Sequence, residues 1–463
     1  MNLKKKNIAV IGLGYVGLPL ALLSALRGFK TIGYDIDQSK ISSINKNIIP
    51  INDYQVNQNF KKALQTKNFI ASSNEEDLSE TTIFIICVPT PINELREPDL
   101  EPIQSALKNI SKFLKSGDLI SIESTVFPGT CEDVLVPIIE NETKLKVGKD
   151  VFLAHCPERV NPGDDFWNTG NIPRVVGGIS KKCAENAADF YSKLLDSRVF
   201  KIEEIRGLLK TKFSVDVDRN FQIKSIMQGA ITVMNSIRDA EAVKAMENTV
   251  RDVNIALVNE LAKISDVLNL DVVDIIDGMS TKPFGKGPFY PGSGVGGHCI
   301  AVDPEWLKSA SINAGYFPKL IQLARDTNNS MPQYTIDILM KCFSAKSIPT
   351  SKAVVAILGV AYKPNVDDAR ESPFFDIQDG LKKAKIKINV YDPMYTKINT
   401  HTNIYDAIKD VDAVIIVTDH YEITSEIKKI DFKETRVSII IDGRNSLRKT
   451  DIDSKILYKG IGR

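Results

Sequence analysis

Two groups of residues in this 463-residue chain have the types and spacing to do chemistry. The first is Gly12-Leu13-Gly14-Tyr15-Val16-Gly17, a G-x-G-x-x-G run that directly follows the apolar stretch at residues 7–12. Between a strand and a helix, the first glycine of such a run permits a tight turn. The second lets backbone approach a pyrophosphate, and the third lets helix and strand pack closely. The helix N-terminus adds free N–H groups and a partial positive charge. Asp35, roughly 20 residues on, ends a second apolar run, where an acid accepts hydrogen bonds from an adenosine ribose and disfavours a 2′-phosphate. The set predicts dinucleotide binding, with NAD preferred over NADP. The glycines alone are weak evidence; the strand, helix and acid around them carry the reading.

The second group centres on Cys299 in GSGVGGHCIAVDP (292–304). A glycine-rich loop brings a thiol and backbone N–H groups close to a ligand. A thiol attacks an aldehyde, and loss of hydride from the adduct leaves a thioester that water hydrolyses to a carboxylate. Asp303 lies four residues on and shares a face with Cys299 if a helix begins there. His298 is adjacent, and neighbouring side chains diverge, so it is a poor base for the thiol. The other histidines are His155, His401 and His420, which leaves Lys, Asp or bound water open as proton carriers. The competing reading of Cys299 is a small buried hydrophobe.

The elements that must position these groups follow from the apolar pattern. NIAVIG (7–12), TIGYD (31–35), TIFIICVP (82–89), DLISIES (118–124) and DVFLAH (150–155) read as strands separated by helical periodicity. That alternation predicts a parallel, doubly wound α/β sheet. Residues 239–268 have helical spacing without Gly or Pro and read as one long helix, or two joined end to end. Residues 282–299, rich in Gly and Pro, must form a loop. A second α/β pattern starts near Lys352, with strands in AVVAILGVAY, KINVYDP, DAVIIVTD and VSIIIDG.

Composition narrows the function classes. With 43% hydrophobic and 25% charged residues, the chain reads as soluble and globular, and its length predicts two or three domains. Lys+Arg at 59 against Asp+Glu at 58 gives no charge excess for nucleic acid or an anionic membrane. The six cysteines form no C-x-x-C pair, so no metal is expected and reduced thiols in the cytoplasm are. Lys4-Lys5-Lys6 before an apolar run mimics a secretory signal, but the glycine spacing and Asp35 explain the same residues better. No uncharged apolar run reaches the length of a transmembrane helix.

GLGYVGLP (12–19), VPTP (88–91), ESTVFPGT (123–130), CPERVNPG (156–163), VKAMENTVRDVNIALVNE (243–260), PGSGVGGHCIAVDP (291–304) and AYKPNVDDARESP (361–373) occur in that order. Together they resemble the nucleotide-sugar 6-dehydrogenases of the UDP-glucose/GDP-mannose dehydrogenase family nearly end to end. The resemblance implies two Rossmann-like doubly wound domains joined by a long central helix that mediates dimerisation. The NAD-binding domain would cover 1–200. The connecting segment, dimerisation helix and cysteine loop would cover 201–330, and a UDP-sugar-binding domain 331–463. Two NAD would be consumed per alcohol oxidised to carboxylate. The partners implied are a UDP-sugar and a second copy of the chain, as a homodimer or higher homo-oligomer.

The same resemblance assigns roles. Cys299 looks like the nucleophile, and Asp303 like the residue that orients water and thiol. Lys244 and Asn248 look like the pair stabilising alkoxide and tetrahedral intermediates, their i,i+4 spacing placing both on one helical face. Thr125 resembles a threonine that helps hold a water. Glu158 resembles a carboxylate in the water-mediated network of thioester hydrolysis; by itself it reads as a loop acid. The cofactor set is Gly12, Gly14, Tyr15, Val16, Gly17 and Asp35, with Pro89, Thr90, Thr125 and Arg370. The sugar-nucleotide set is Glu158, Arg159, Val160, Lys244 and Arg251, with Tyr290, Gly292, Gly296, Lys363 and Arg444.

Two departures from the family stand out. PERVNPGDDFWNTGNIPRVVGG (157–178) differs from the P-E-F-L-x-E-G text of the UDP-glucose branch, with Pro162 near the place of the second acid. It reads as an enzyme acting on UDP-N-acetylglucosamine or its galacto epimer. The alternatives are UDP-glucose, UDP-N-acetylmannosamine, a two-electron hydroxyacid dehydrogenase and a non-catalytic nucleotide binder. The stretch at 201–230 is longer and more basic than the family's usual link, and is expected to be a surface excursion rather than a lid or oligomer contact.

Overall fold

Alternating apolar segments build two separate β-sheets. The computed structural model describes residues 6–51, 54–93, 97–160, 166–205, 227–282 and 288–463. Most of the enlarged stretch at 201–230, part of the loop at 282–299, and Pro162 lie outside the described residues. The chain divides into two compact units. One runs to Glu247 and takes in Glu305–Ala314; the other comprises Asn248–Pro304 and Gly315–Arg463.

The first unit holds strands β1 (Asn7–Ile11), β2 (Lys30–Tyr34), β3 (Phe69–Ser72), β4 (Ile83–Ile86) and β5 (Leu119–Ile122). β6 (Phe152–His155), β7 (Arg174–Gly178), β8 (Val199–Lys201) and β9 (Ile231–Val233) complete its sheet. The order is β3-β2-β1-β4-β5-β6-β7-β9-β8. Its first six positions are the 3-2-1-4-5-6 order of a dinucleotide-binding fold, whose ligand crevice lies where the order reverses, between β1 and β4. β4 and β5 are buried at every position, which explains their unbroken apolar text.

One pair departs from the all-parallel expectation. β7 runs antiparallel to β6, with His155 opposite Gly177. A parallel step needs a crossover element, and the described residues between the two strands contain no helix. The apolar run after Lys6 forms β1 and helix α1 (Gly17–Leu26), whose buried face packs into the core of this unit.

Helix α2 (Lys181–Leu195) covers part of the sheet and contributes Tyr191 to its interior. Helix α3 (Ile237–Leu268) is a single continuous helix of 32 residues. It ends where Asn269 turns left-handed at φ 54° and Leu270 N–H donates to the Ser265 carbonyl, a cap that asparagine tolerates well.

In the second unit β10 (Val354–Leu358), β11 (Lys387–Tyr391), β12 (Ala413–Ile416), β13 (Ile439–Asp442) and β14 (Leu457–Gly460) pair in the order β11-β10-β12-β13-β14, all parallel. Four of these strands are legible in the sequence; β14 is not, because LYKG carries little apolar signal. Helix α4 (Asp303–Asn313) opens just past the cysteine loop and from Glu305 on belongs to the first unit; α5 (Lys319–Asn329) belongs to the second.

Candidate active site

In the first unit the expected cofactor residues lie at the C-terminal ends of the central strands. Gly12 follows β1 with φ +94°, and a Cβ there would come 2.8 Å from the Cys87 carbonyl oxygen. A Cβ on Gly17 would meet the Gly12 carbonyl oxygen at 1.8 Å. Gly14 would meet nothing within 4 Å, so its bare backbone faces open space, as a diphosphate requires.

Asp35, 7% exposed at the end of β2, accepts from the Leu13 N–H (2.8 Å), the Asp37 N–H (3.0 Å) and Lys40 Nζ (2.6 Å). A carboxylate offers about four acceptor positions, so one remains for a ribose hydroxyl. The turn and its acid therefore fit NAD. Tyr15 and Val16 belong to the same turn, Pro89 and Thr90 follow β4, and Thr125 follows β5.

Glu158 sits in a buried network that the sequence does not reveal. Arg174, at the start of β7, is fully buried; its Nη1 lies 3.0 Å from Glu123 Oε1 and its Nη2 3.3 Å from Glu158 Oε2. Glu158 Oε1 accepts from the Arg159 and Val160 N–H groups, each at 2.6 Å. Tyr191 stacks under the guanidinium at 5.2 Å and donates to Glu123 at 2.6 Å. Burial pushes the Glu123 carboxyl above its ordinary range even with Arg174 beside it. Glu158 is thus a fixed, oriented acid and not a solvated loop residue. Arg159 pairs with Glu247 on α3 and donates to the Pro173 carbonyl at 2.9 Å.

In the second unit Cys299 lies one helical turn before α4, and the Asp303 N–H donates to its carbonyl at 2.8 Å. Asp303, 3% exposed, accepts from Asn248 Nδ2 on α3 at 2.5 Å. The helix begins at Asp303, so Cys299 lies in the turn before it. The other five cysteines are buried, and Cys299 is partly exposed. Burial pushes Cys156 up to about 12 and raises Cys87 well above the ordinary thiol range, so these remain inert thiols. Exposure leaves Cys299 as the thiol a substrate can reach.

The cysteine loop docks on the ends of the second sheet. The Ser293 N–H donates to the Gly443 carbonyl, and the Gly297 N–H to the Arg370 carbonyl, both at 3.0 Å. A Cβ on Gly292 would lie 2.9 Å from Arg444 Nη1, and one on Gly296 2.8 Å from the Tyr362 side chain. Arg444 Nε donates to the Val417 carbonyl at 3.0 Å. Arg370 is clamped on Asp368, which raises its pKa, and the Cys299 thiol acts on the same guanidinium. The structure thus gathers Gly292, Gly296, Cys299, Arg370 and Arg444, with Lys363 in the turn after β10. Tyr290 is 45% exposed and donates to Asp277 at 2.6 Å, and Arg251 is exposed on α3; neither is drawn into this group.

The second sheet also repeats the first sheet's acid. The Gly359 N–H donates to the Tyr391 carbonyl as Gly12 does to Tyr34, and Asp392 ends β11 as Asp35 ends β2. The shared signal is Tyr-Asp at the end of the second strand. Asp392 is fully buried and accepts from the N–H groups of Val360, Ala361, Met394 and Tyr395. His420 Nδ1 accepts from the Asn365 N–H, so its Nε2 donates to Asp392 at 3.1 Å. Burial alone would raise this carboxyl; His420 and the backbone donors outweigh it and hold it well below the usual range. Asp392 organises the turn and has no face left for a ribose.

A dinucleotide turn on one sheet, and on the other unit an accessible cysteine beside a buried Asn–Asp pair, define an NAD-dependent dehydrogenase. The chain matches the UDP-glucose/GDP-mannose dehydrogenase family in its NAD binding domain over residues 6–195, its central domain over 238–330 and its UDP binding domain over 356–449. It is 35% identical to a UDP-N-acetyl-D-mannosamine dehydrogenase of Pyrococcus horikoshii, over 99% of both chains. It is 34% identical to a UDP-N-acetyl-D-glucosamine 6-dehydrogenase of Pseudomonas aeruginosa, over 84% of this chain and 83% of that one. The solved structure of a UDP-ManNAc dehydrogenase from Pyrococcus horikoshii superposes with a TM-score of 0.85 at 34% identity, covering 99% of each chain. The chain belongs to the UDP-glucose/GDP-mannose dehydrogenase family and is an NAD-dependent UDP-sugar 6-dehydrogenase. Among the described residues no helix is long and apolar enough to cross a membrane.

Proposed function

We propose that the substrate is UDP-N-acetylmannosamine, oxidised at C6 to the uronate. The observation that carries this is the likeness to UDP-N-acetylmannosamine dehydrogenases along 99% of both chains, against 84% for the glucosamine enzyme at similar identity. It supports the mannosamine alternative better than the glucosamine or galactosamine substrate expected from residues 157–178. UDP-N-acetylglucosamine remains the second reading, favoured by that shared identity. The test is a comparison of kcat/KM for the three UDP-N-acetylhexosamines and UDP-glucose. The highest value on the mannosamine substrate supports the proposal; a higher value on any other overturns it.

In the proposed reaction NAD, when bound, accepts the hydride of each of two oxidations. The chain supplies the rest. Lys244 and Asn248, four residues apart on α3, stabilise the alkoxide and later the tetrahedral adducts. The Cys299 thiolate adds to the aldehyde carbon, and hydride loss from that adduct leaves a thioester on Sγ. Asp303, held by Asn248, orients the thiol and water. Glu158, fixed by Arg174 and two backbone N–H groups, takes the proton of the water that hydrolyses the thioester. The sum is one CH₂OH and one water converted to one carboxylate, with two hydrides and three protons leaving.

We further propose that the protein works as a homodimer through α3. Val250, Leu257 and Ile264 recur every seven residues on that helix and are all exposed, Leu257 by 63%. Leu320 and Leu323 on α5 are exposed as well. A heptad line of exposed aliphatic residues is the pattern of a helix awaiting a partner. Leu257→Asp is therefore expected to convert a dimer at micromolar concentration into a monomer, read by light scattering. A monomeric wild-type protein would contradict this.

A further inference from the structure

Helix α3 has its polarity inverted. In the second unit Asn248, Asp252 and Asn259 are buried, the last two completely, while the aliphatic line at 250, 257 and 264 is exposed. At about 100° per residue, 248, 252 and 259 fall within roughly 40° of one another, and the aliphatic line lies on the far side. A surface helix ordinarily turns its apolar stripe inward. Each buried polar group must then have a partner, and here the partners form one chain.

Asp252 Oδ1 accepts from Arg325 Nη1 at 2.6 Å and from Asn328 Nδ2 at 2.7 Å. Asn328 Oδ1 accepts from Asn259 Nδ2 at 2.9 Å. Asn259 Oδ1 accepts from the Gly292 N–H at 3.0 Å. The two ends fix every orientation between them. A carboxylate only accepts and a backbone N–H only donates, so each intervening side chain must donate one way and accept the other. An amide does both; an aspartate or a leucine of similar size does not.

We propose that Asn259 is a positioning residue for the reaction, acting through the Gly292 N–H to set the path of the loop that carries Cys299. The inference rests on the reading of Cys299 as nucleophile. Gly292, Gly294, Gly296 and Gly297 give this loop little stiffness of its own. Its backbone ties at Ser293 and Gly297 hold it to the second sheet, and Asn259 adds a side-chain tether to the central helix. At Gly292 the chain passes Arg444 closely enough that a Cβ would lie 2.9 Å from Nη1. Release of the tether shifts the loop against Arg444 and displaces the thiol downstream.

The test compares Asn259→Ala and Asn328→Ala with Val355→Ala, which cuts the core of the second unit away from the loop. Two measurements are made on the full-length protein: steady-state kinetics on the preferred UDP-sugar, and the rate at which iodoacetamide alkylates Cys299. Because the other five cysteines are buried, labelling of the folded protein reads this thiol. Both asparagine variants are expected to lose about tenfold or more in kcat/KM for the UDP-sugar, since small misplacements of reacting groups are that costly. Their Cys299 labelling rate should change by about fivefold or more as the thiol's surroundings open, with the dissociation constant for NAD unchanged. Val355→Ala should lower the melting temperature and leave both readouts near wild type. Wild-type kinetics and labelling in the asparagine variants overturn the proposal while the nucleophile reading stands. If the wild-type protein turns over no UDP-sugar, the nucleophile reading fails, and the labelling rates alone decide whether Asn259 holds the loop. If Asn259→Ala does not fold, Asn328→Ala carries the same comparison.

Discussion

Cys299→Ser is expected to abolish carboxylate production, by about a thousandfold or more, because the covalent step has no substitute nucleophile. Serine keeps the size of the side chain, but its hydroxyl is far harder to ionise than a thiol. Cys299 is the partly exposed thiol of the six, so no other cysteine can replace it. In the proposed sequence the first oxidation, alcohol to aldehyde, does not use the thiol. The variant should therefore bind NAD and UDP-sugar normally, release at most one NADH per sugar and then stall. Stopped-flow absorbance at the NADH band, with product analysis, separates the two half-reactions. Wild-type carboxylate formation in this variant would remove Cys299 from the mechanism.

The second large effect is expected at Arg174. Its guanidinium lies between two buried carboxyls, Glu123 and Glu158, and pairs with both. Truncation to alanine leaves both acids buried without their counter-charge, a change that typically costs about 3–5 kcal/mol. The first unit should accordingly unfold at markedly lower urea concentration. The pH dependence follows from the sign of the shifts. Burial already raises Glu123 with Arg174 present, and removal of the cation raises that carboxyl further. An acid with a raised folded pKa favours the folded state below its ordinary range and disfavours it as pH rises through the raised value. The deficit of Arg174→Ala relative to wild type should be largest at neutral pH and shrink towards pH 4. A deficit independent of pH would mean that lost packing, not lost charge, is responsible. Glu123→Gln, which leaves Glu158 with Arg174, should cost much less.

The dinucleotide turn was legible in the sequence because its chemistry is local. Glycines, strand and acid follow one another within two elements; Gly12 and Gly17 sit where a Cβ would clash, and Gly14 faces open space. The long helix was equally plain, since 32 residues without Gly or Pro leave few alternatives. The Arg174 network was hidden because Tyr191 and Glu123 are 68 positions apart, and each reads as an ordinary strand or helix residue. Asn259 and Asn328, 69 positions apart, look like polar surface positions on two helices until the fold buries them. The antiparallel β7 was missed because strand direction is decided by the connection before it, not by its own residues. The choice among UDP-sugars was the least legible feature. The motif blocks match the family as a whole across its three domains, and a match at that level does not separate one UDP-sugar from another.

The measurement that most directly tests the central claim is the number of NADH formed per UDP-sugar when UDP-N-acetylmannosamine is limiting and NAD is in excess. Two NADH with a uronate product is the predicted result, since the carboxylate lies two hydride transfers beyond the alcohol. One NADH with a released aldehyde would contradict the account.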